Sequence, residues 1–377
     1  MSASRRAGIP PFHVMEVMKR AERRDRTHGD VLHLEVGQPS TPAPLAVRSS
    51  AVRLLDAHRL GYTHALGVVE LRRRISEYYA ERHGVTVDSG RIAATVGASG
   101  GMVLALLAAF DVGDRVGITE PGYAAYRNIV TALGLELVGI PVGPDTRYVP
   151  TPRLLDTAAP LDGLIVASPS NPTGTVLTPS ELGAIHGWCV TNDVRLLSDE
   201  IYHRMSYGGD ETSALELDSD VVVLQSFSKY YSMTGWRVGW LVLPDGLVDA
   251  VERLAQNLFI CPPALAQIAA VAAFDASAEL DANVERYRIS RGVVLDALAR
   301  WDLPHAPPDG AFYVWADVSR LGAGGEVSRR WLDEAGVAVT PGIDFDPVRG
   351  GDFVRISYSE SPDDVAEAVR RLDRLVM

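Results

Sequence analysis

The chain has 377 residues, 47% hydrophobic and 22% charged, more than one core usually serves, so two globular domains are expected. A net charge of −12 and an isoelectric point near 5.2 argue against nucleic acid as a partner, while leaving the local charge of any one site open. Two cysteines, Cys189 and Cys261, cannot build a disulfide framework or a paired-cysteine metal site, which fits a reducing compartment and no metal.

Taken in chain order, the N-terminus is basic, with Arg6, Lys19, Arg20, Arg23 and Arg24. Glu16, Glu22 and Asp25 interrupt that charge and no apolar segment follows, so no targeting peptide is expected. The longest apolar stretch, Met102 to Phe110, is too short to span a bilayer, and a cytoplasmic protein without membrane is the expectation. Over residues 45–261 short apolar runs alternate with helical patterns. The expected strands are Ile92–Val96, Val116–Thr119, Leu137–Val142, Gly163–Ala167, Val194–Leu197, Val221–Gln225 and Val238–Leu243. They are apolar on both faces, as strands between two helical layers should be. They predict a three-layer α/β large domain with a mostly parallel seven-stranded sheet. Further on, Ala264–Phe274 reads as a buried helix and Ala278–Trp301 as a long amphipathic one. Strands are expected at Ala311–Trp315, Val337–Thr340 and Phe353–Tyr358. Ser361 as cap, Pro362 at the first position and Asp364 three residues past the cap start a final helix. Residues 262–377, completed by residues 1–44, are expected to form a smaller α+β domain.

Ligands of open α/β sheets lie beyond the carboxyl ends of the strands, and there this sequence places its unusual polar residues. Ser99, Tyr123, Asn171, Asp199 and the group Ser226, Ser228 and Lys229 each follow a different expected strand. Gly97-Ala98-Ser99-Gly100-Gly101 opens a helix whose free N–H groups and dipole favour an anion, although an ordinary tight turn would look the same. Ser226, Ser228 and Arg237 offer two hydroxyls and a guanidinium to a phosphate dianion. Lys229 can form an imine with a carbonyl compound. Among 36 Lys and Arg residues only Lys19 and Lys229 are lysines, so a lysine kept at an apolar strand end points to chemistry arginine cannot do. Asp199 could pair with a protonated heterocyclic nitrogen, or be a loop acid. Asn171, before Pro172 and Gly174, is a turn residue by default.

Asn171-Pro172-Thr173-Gly174, Ser198-Asp199-Glu200-Ile201-Tyr202, and Ser226-Phe227-Ser228-Lys229 with Met233-Thr234-Gly235-Trp236-Arg237 resemble, in order and spacing, the class I/II aminotransferases of fold type I. The resemblance covers nearly the whole chain. It implies a pyridoxal 5′-phosphate enzyme that moves an amino group between an amino acid and a 2-oxo acid by a ping-pong mechanism. By resemblance, Lys229 carries the cofactor as a Schiff base and then shuttles the substrate proton. Asp199 pairs with the pyridine nitrogen, Asn171 and Tyr202 with the phenolate oxygen, and Tyr123 stacks on the ring. Ala98, Ser99, Ser226, Ser228 and Arg237 resemble the phosphate cup. Arg355 resembles the arginine that holds the substrate carboxylate, Gly37 the glycine lying over the substrate, and Asn171 also faces that substrate. Tyr62 resembles a tyrosine donated to the neighbouring subunit's cofactor phosphate, which implies a homodimer. Gly310-Ala311-Phe312-Tyr313 and Pro341-Gly342 match further segments of the family's small domain.

The substrate side chain is less legible. Arg127 is one of many surface candidates for binding a second carboxylate. Gly122 predicts a wider site near Tyr123, while Phe12, His13 and Tyr358 are either pocket or packing residues. A carbon–sulfur lyase or decarboxylase on the same fold is the alternative. A non-catalytic cofactor-binding sensor is less expected, because the residues before the large domain are too few for a DNA-binding module. So is a nicotinamide dehydrogenase, because no GxGxxG follows a first strand.

Overall fold

In the computed structural model, which describes residues 4–209 and 211–377, the strands are, in chain order, β1 (Leu32–His33), β2 (Ile92–Thr95), β3 (Arg115–Glu120), β4 (Glu136–Pro141), β5 (Gly163–Ala167), β6 (Arg195–Asp199), β7 (Val222–Ser226), β8 (Gly239–Val242), β9 (Tyr313–Asp317), β10 (Val337–Ala338), β11 (Thr340–Pro341) and β12 (Phe353–Ser357). Seven of them form one sheet in the order β2-β8-β7-β6-β5-β3-β4. Neighbours run parallel except at β8, which is antiparallel to both β2 and β7. The mostly parallel seven-stranded sheet expected from the sequence is therefore present.

Alternation along the strands explains why the sheet is covered on both sides. Ala93, Ile118, Ile165, Leu197, Leu224 and Leu241 enter one buried cluster, and Ile92, Ala94, Leu164, Val166, Leu196 and Val223 enter another. Neighbouring residues of a strand point to opposite faces, so an apolar run without polar interruptions needs a helical layer on each side. Each fully buried Leu, Ile or Val contributes about 1.5–3 kcal/mol. The helices that matter for the site are α1 (His13–His28), α2 (Leu45–Ala57), α3 (Val69–His83), α4 (Gly97–Ala109) and α5 (Ala124–Leu133). The α4 helix starts directly after β2, and that reversal is made at Gly97 with φ +66°, a left-handed conformation that glycine adopts without penalty.

The remaining strands form an antiparallel sheet, β11-β12-β9, and β1 pairs in parallel with β10. The single strand expected over Val337–Thr340 is thus divided, because its first half pairs with the N-terminal segment and its second half with β12. The last helix, Pro362–Val376, begins as its sequence signals: Ser361 Oγ accepts the Asp364 N–H at 3.1 Å. One buried cluster runs from Val223 in the large sheet through Ala266 and Phe274 to Val354 and Leu372, so the N- and C-terminal segments share a core with the sheet. No helix among the described residues is long and apolar enough to cross a membrane.

Candidate active site

A cavity of about 280 Å³ opens beyond the carboxyl ends of the parallel strands. The large sheet brings to its wall Ala98 and Ser99 from the start of α4, Tyr123 after β3, and Asn171 after β5. Asp199 and Tyr202 come from the end of β6, and Ser228, Lys229 and Arg237 from the segment after β7. Gly37 and Arg355 close it from the other side. Ser226 lies just behind the wall, where its hydroxyl donates to Ser228 Oγ at 2.9 Å. Tyr62, unlike the other expected site residues, lies away from this cavity and from its wall. It is 84% exposed, in the loop between α2 and α3.

Local packing fixes the phosphate-like end. Phe227 is fully buried against Trp240 and Phe274, which turns the flanking Ser226 and Ser228 away from the core. Arg237 adopts φ +54°, and its Nη1 donates to the Thr234 carbonyl at 2.9 Å. Its other terminal nitrogen lies over Gly97, so close that a Cβ there would fall 2.2 Å from it. A helix N-terminus, a serine hydroxyl and a guanidinium thus converge on one small space, a donor set suited to a dianion.

Lys229 Nζ donates to the Gly37 carbonyl at 2.5 Å. Burial pulls its pKa down to about 7, the Arg355 and Arg237 charges push the same way, and Asp199 opposes them. Asp199 is buried at the floor of the cavity. Its Oδ2 accepts from the Tyr126 hydroxyl at 2.5 Å and its Oδ1 from the Ile201 N–H at 3.0 Å. Burial raises its carboxyl to about 6 against these hydrogen bonds and the Lys229 charge. Tyr126 escaped sequence reading; its only signal is the i, i+3 spacing from Tyr123 on the first turn of α5.

Arg355 is buried at the opposite end. Nη1 donates to Asn171 Oδ1 at 3.0 Å and Nη2 to the Glu35 carbonyl at 2.5 Å. The guanidinium carbon stands 4.4 Å from the Tyr313 ring centroid and 4.7 Å from that of Phe345, while Nε has no partner among the described residues. The Tyr202 and Tyr313 hydroxyls are 2.8 Å apart. Gly37 is dictated by this packing, since a Cβ there would lie 1.6 Å from the Tyr313 hydroxyl.

The rest of the wall includes Val14, Met15 and Met18 of α1, with Val36 and Ile129. The α1 start is held by the Asp344 carboxylate, which accepts the His13 and Val14 N–H groups at 3.0 and 3.1 Å. Two sequence expectations change here, and the alternatives for Phe12, His13 and Tyr358 narrow. Arg127 is not an open surface residue, because it is tied to the Phe345 carbonyl at 3.1 Å and to Glu120 at 3.7 Å, outside the cavity wall. Gly122 does not widen the site: a Cβ there would meet the Thr119 carbonyl at 2.2 Å, so the turn itself requires glycine. Tyr358 is a fully buried packing residue, and Phe12 and His13 are outside the wall, with Phe12 packing on Tyr123 at 6.2 Å.

Comparison with known proteins agrees with this arrangement. The sequence profile of the class I and II aminotransferases matches residues 29–372. The chain is 52% identical to valine–pyruvate aminotransferase of Mycobacterium tuberculosis over 374 residues, 97% of this chain and 96% of that protein. A crystal structure of an aminotransferase from Mycobacterium tuberculosis has a TM-score of 0.97 at 50% identity, covering 100% of this chain and 99% of that one. Aspartate aminotransferase from Thermus thermophilus with maleate has a TM-score of 0.94 at 29% identity, covering both chains fully. The chain belongs to the class I and II aminotransferases. It is a pyridoxal-phosphate-dependent transferase of fold type I, and the lyase, sensor and dehydrogenase alternatives are set aside. The cavity fits that cofactor in its donor set: a dianion cup at one end, a buried carboxylate for the ring nitrogen, and an amine of lowered pKa for the aldehyde.

Proposed function

We propose that this aminotransferase takes its amino group from an α-amino acid with an apolar side chain and passes it to a 2-oxo acid. The observation that carries this reading is the composition of the wall. Among the described residues its only cations are Lys229, Arg237 and Arg355, and the surface supplied by α1 is Val14, Met15 and Met18. A substrate side-chain carboxylate would be desolvated there without a partner, at a cost of several kcal/mol. The valine–pyruvate activity named for the relative at 52% identity supports the same class.

In this reading bound pyridoxal phosphate supplies the aldehyde that takes up the amino group and the electron sink that stabilises negative charge at the substrate Cα. Arg355 binds the α-carboxylate, with Asn171 and Tyr313 fixing the plane of its fork. Lys229 Nζ, neutral above about pH 7 because of burial and the two nearby arginines, would take the proton from Cα and deliver it to the cofactor's C4′, the former aldehyde carbon. Asp199 keeps a negative charge beside the ring nitrogen, and Tyr126 and the Ile201 N–H fix both of its oxygens. Tyr202 and Asn171 face the phenolate oxygen, and Tyr123 covers the ring. Ala98, Ser99, Ser228 and Arg237 would receive the phosphate, with Ser226 supporting Ser228 from behind, and the Gly37 backbone with α1 excludes water.

The same proposal includes a cytoplasmic homodimer in which Tyr62 reaches the partner's phosphate. The near-complete exposure of this tyrosine in one chain supports that role. It also divides the chain into a large domain at 45–261 and a small one at 1–44 and 262–377. The test of the substrate class is a donor panel with pyruvate as acceptor, following the 2-oxo acid formed. Valine, leucine and methionine should exceed aspartate and glutamate by at least about tenfold in kcat/KM, the ratio that an unpaired buried charge enforces. A preference for aspartate would overturn the reading.

A further inference from the structure

Tyr313 stands where the two halves of the cavity meet, on β9, and neither its sequence segment nor the family match gives it a task. In the antiparallel β9–β12 pair Tyr313 faces Ser357 and Arg355 faces Trp315, so Tyr313 and Arg355 are diagonal neighbours on one face, within reach of long side chains. The ring is 1% exposed and lies under the Arg355 guanidinium. Its hydroxyl is 2.8 Å from that of Tyr202 and occupies the space where a Gly37 side chain would be. The turn that carries Asn171 rests on the same residue, since a Cβ on Gly174 would fall 2.9 Å from the Tyr313 carbonyl.

We propose that Tyr313 is a positioning residue for this reaction, its ring being the platform that orients Arg355 toward the substrate carboxylate and its hydroxyl the donor that orients the Tyr202 proton. The second half rests on the reading of Tyr202 as the partner of the cofactor's phenolate oxygen. Each phenol carries one proton. If Tyr202 spends its proton on that oxygen, the 2.8 Å contact is satisfied only when Tyr313 donates to the Tyr202 oxygen. Burial pushes both hydroxyls above their ordinary pKa, so both remain neutral donors. A phenol that accepts one hydrogen bond donates a stronger one. Tyr313 thereby strengthens Tyr202 without touching the phenolate oxygen itself. The ring acts separately: a guanidinium over an aromatic face is held in a plane, and the fork stays aimed into the cavity.

Two substitutions separate the halves. Tyr313→Phe keeps the ring and removes only the hydroxyl, whereas Tyr313→Leu removes both. Two readouts on the holoenzyme follow them: the pH midpoint of the cofactor's visible absorption band without substrate, and the dissociation constant of 3-methylbutanoate, a carboxylate that cannot react. A donor to an oxyanion favours the state with more negative charge on that oxygen, so weakening it raises the midpoint. Tyr313→Phe should raise the midpoint by about 0.3–0.6 pH unit, about two- to fourfold in the protonation equilibrium, and leave carboxylate binding within about twofold. Tyr313→Leu should raise it similarly and weaken carboxylate binding about tenfold. Tyr202→Phe should give a larger midpoint shift. Melting of the apoproteins identifies a variant that fails to fold, and a purely structural role would lower melting temperature while leaving both readouts in place. A wild-type midpoint for Tyr313→Phe beside a shifted Tyr202→Phe overturns the hydroxyl's role. Unchanged carboxylate binding in Tyr313→Leu overturns the ring's role. An unshifted midpoint in Tyr202→Phe refutes the reading of Tyr202 and takes the hydroxyl's role with it.

Discussion

Replacing Gly97 by alanine is the sharpest structural test of the phosphate cup. Two independent effects follow from adding one methyl group. Gly97 sits at φ +66°, where a residue with a Cβ costs about 1–2 kcal/mol. That Cβ would also lie 2.2 Å from Arg237 Nη2 and 2.8 Å from its Cζ, so the guanidinium must leave its place. Each charge-assisted hydrogen bond it gives a phosphate is worth about 1.5–3 kcal/mol, hence about 10- to 100-fold in cofactor affinity. The first effect appears in the apoprotein as a melting temperature lower by about 1–4 °C. The second appears in a fluorescence titration with pyridoxal phosphate as a dissociation constant raised about 10- to 100-fold. Gly183→Ala, in the helix Pro179–Thr191 where an added Cβ meets nothing within 4 Å, is the control and should bind cofactor as wild type does. A folded Gly97→Ala protein with wild-type cofactor affinity would refute the placement of the phosphate beside Arg237.

Other outcomes follow from the same geometry. Arg355→Lys cannot reproduce a fork that reaches Asn171 and the Glu35 carbonyl at once, and steady-state kinetics should show KM for the amino acid raised about 10- to 100-fold. The Lys229 amine, brought down to about 7 by burial and its arginine neighbours, is neutral above that pH and protonated below it. Stopped-flow capture of the cofactor by apoprotein should therefore be flat above about pH 7 and fall about tenfold per unit below it; a profile still rising at pH 9 would contradict the lowered pKa. In the proposed homodimer, Tyr62→Ala should weaken cofactor binding. Mixed dimers of Tyr62→Ala with Lys229→Ala chains should regain one normal site, and failure to do so would refute sharing between subunits.

Much of this was legible in the sequence because the informative signals are local. Strands β2 to β8 are short apolar runs, and the polar residues at their ends fall into one cavity whenever such runs form a parallel sheet. Residues defined by distant partners were not legible. Asp344 caps α1 across 331 positions of chain, and nothing in either segment announces the other. Tyr126 and Tyr313 look like core aromatics until Asp199 and Tyr202 are found beside their hydroxyls. Gly122 was misread for a related reason: a backbone carbonyl three residues earlier, not the cavity, excludes its side chain. Val337–Thr340 reads as one strand because a sequence pattern cannot show that its halves pair with different partners.

The central claim is that Lys229 holds the cofactor, and the chain's composition makes it directly testable. Only Lys19 and Lys229 are available, and Lys19 is exposed on α1. Reduction of the holoenzyme with borohydride followed by peptide mass mapping should find one pyridoxyl phosphate per chain, on the peptide that contains Lys229. Label on Lys19, or no stable label in a protein that shows the cofactor's visible band, would contradict the account.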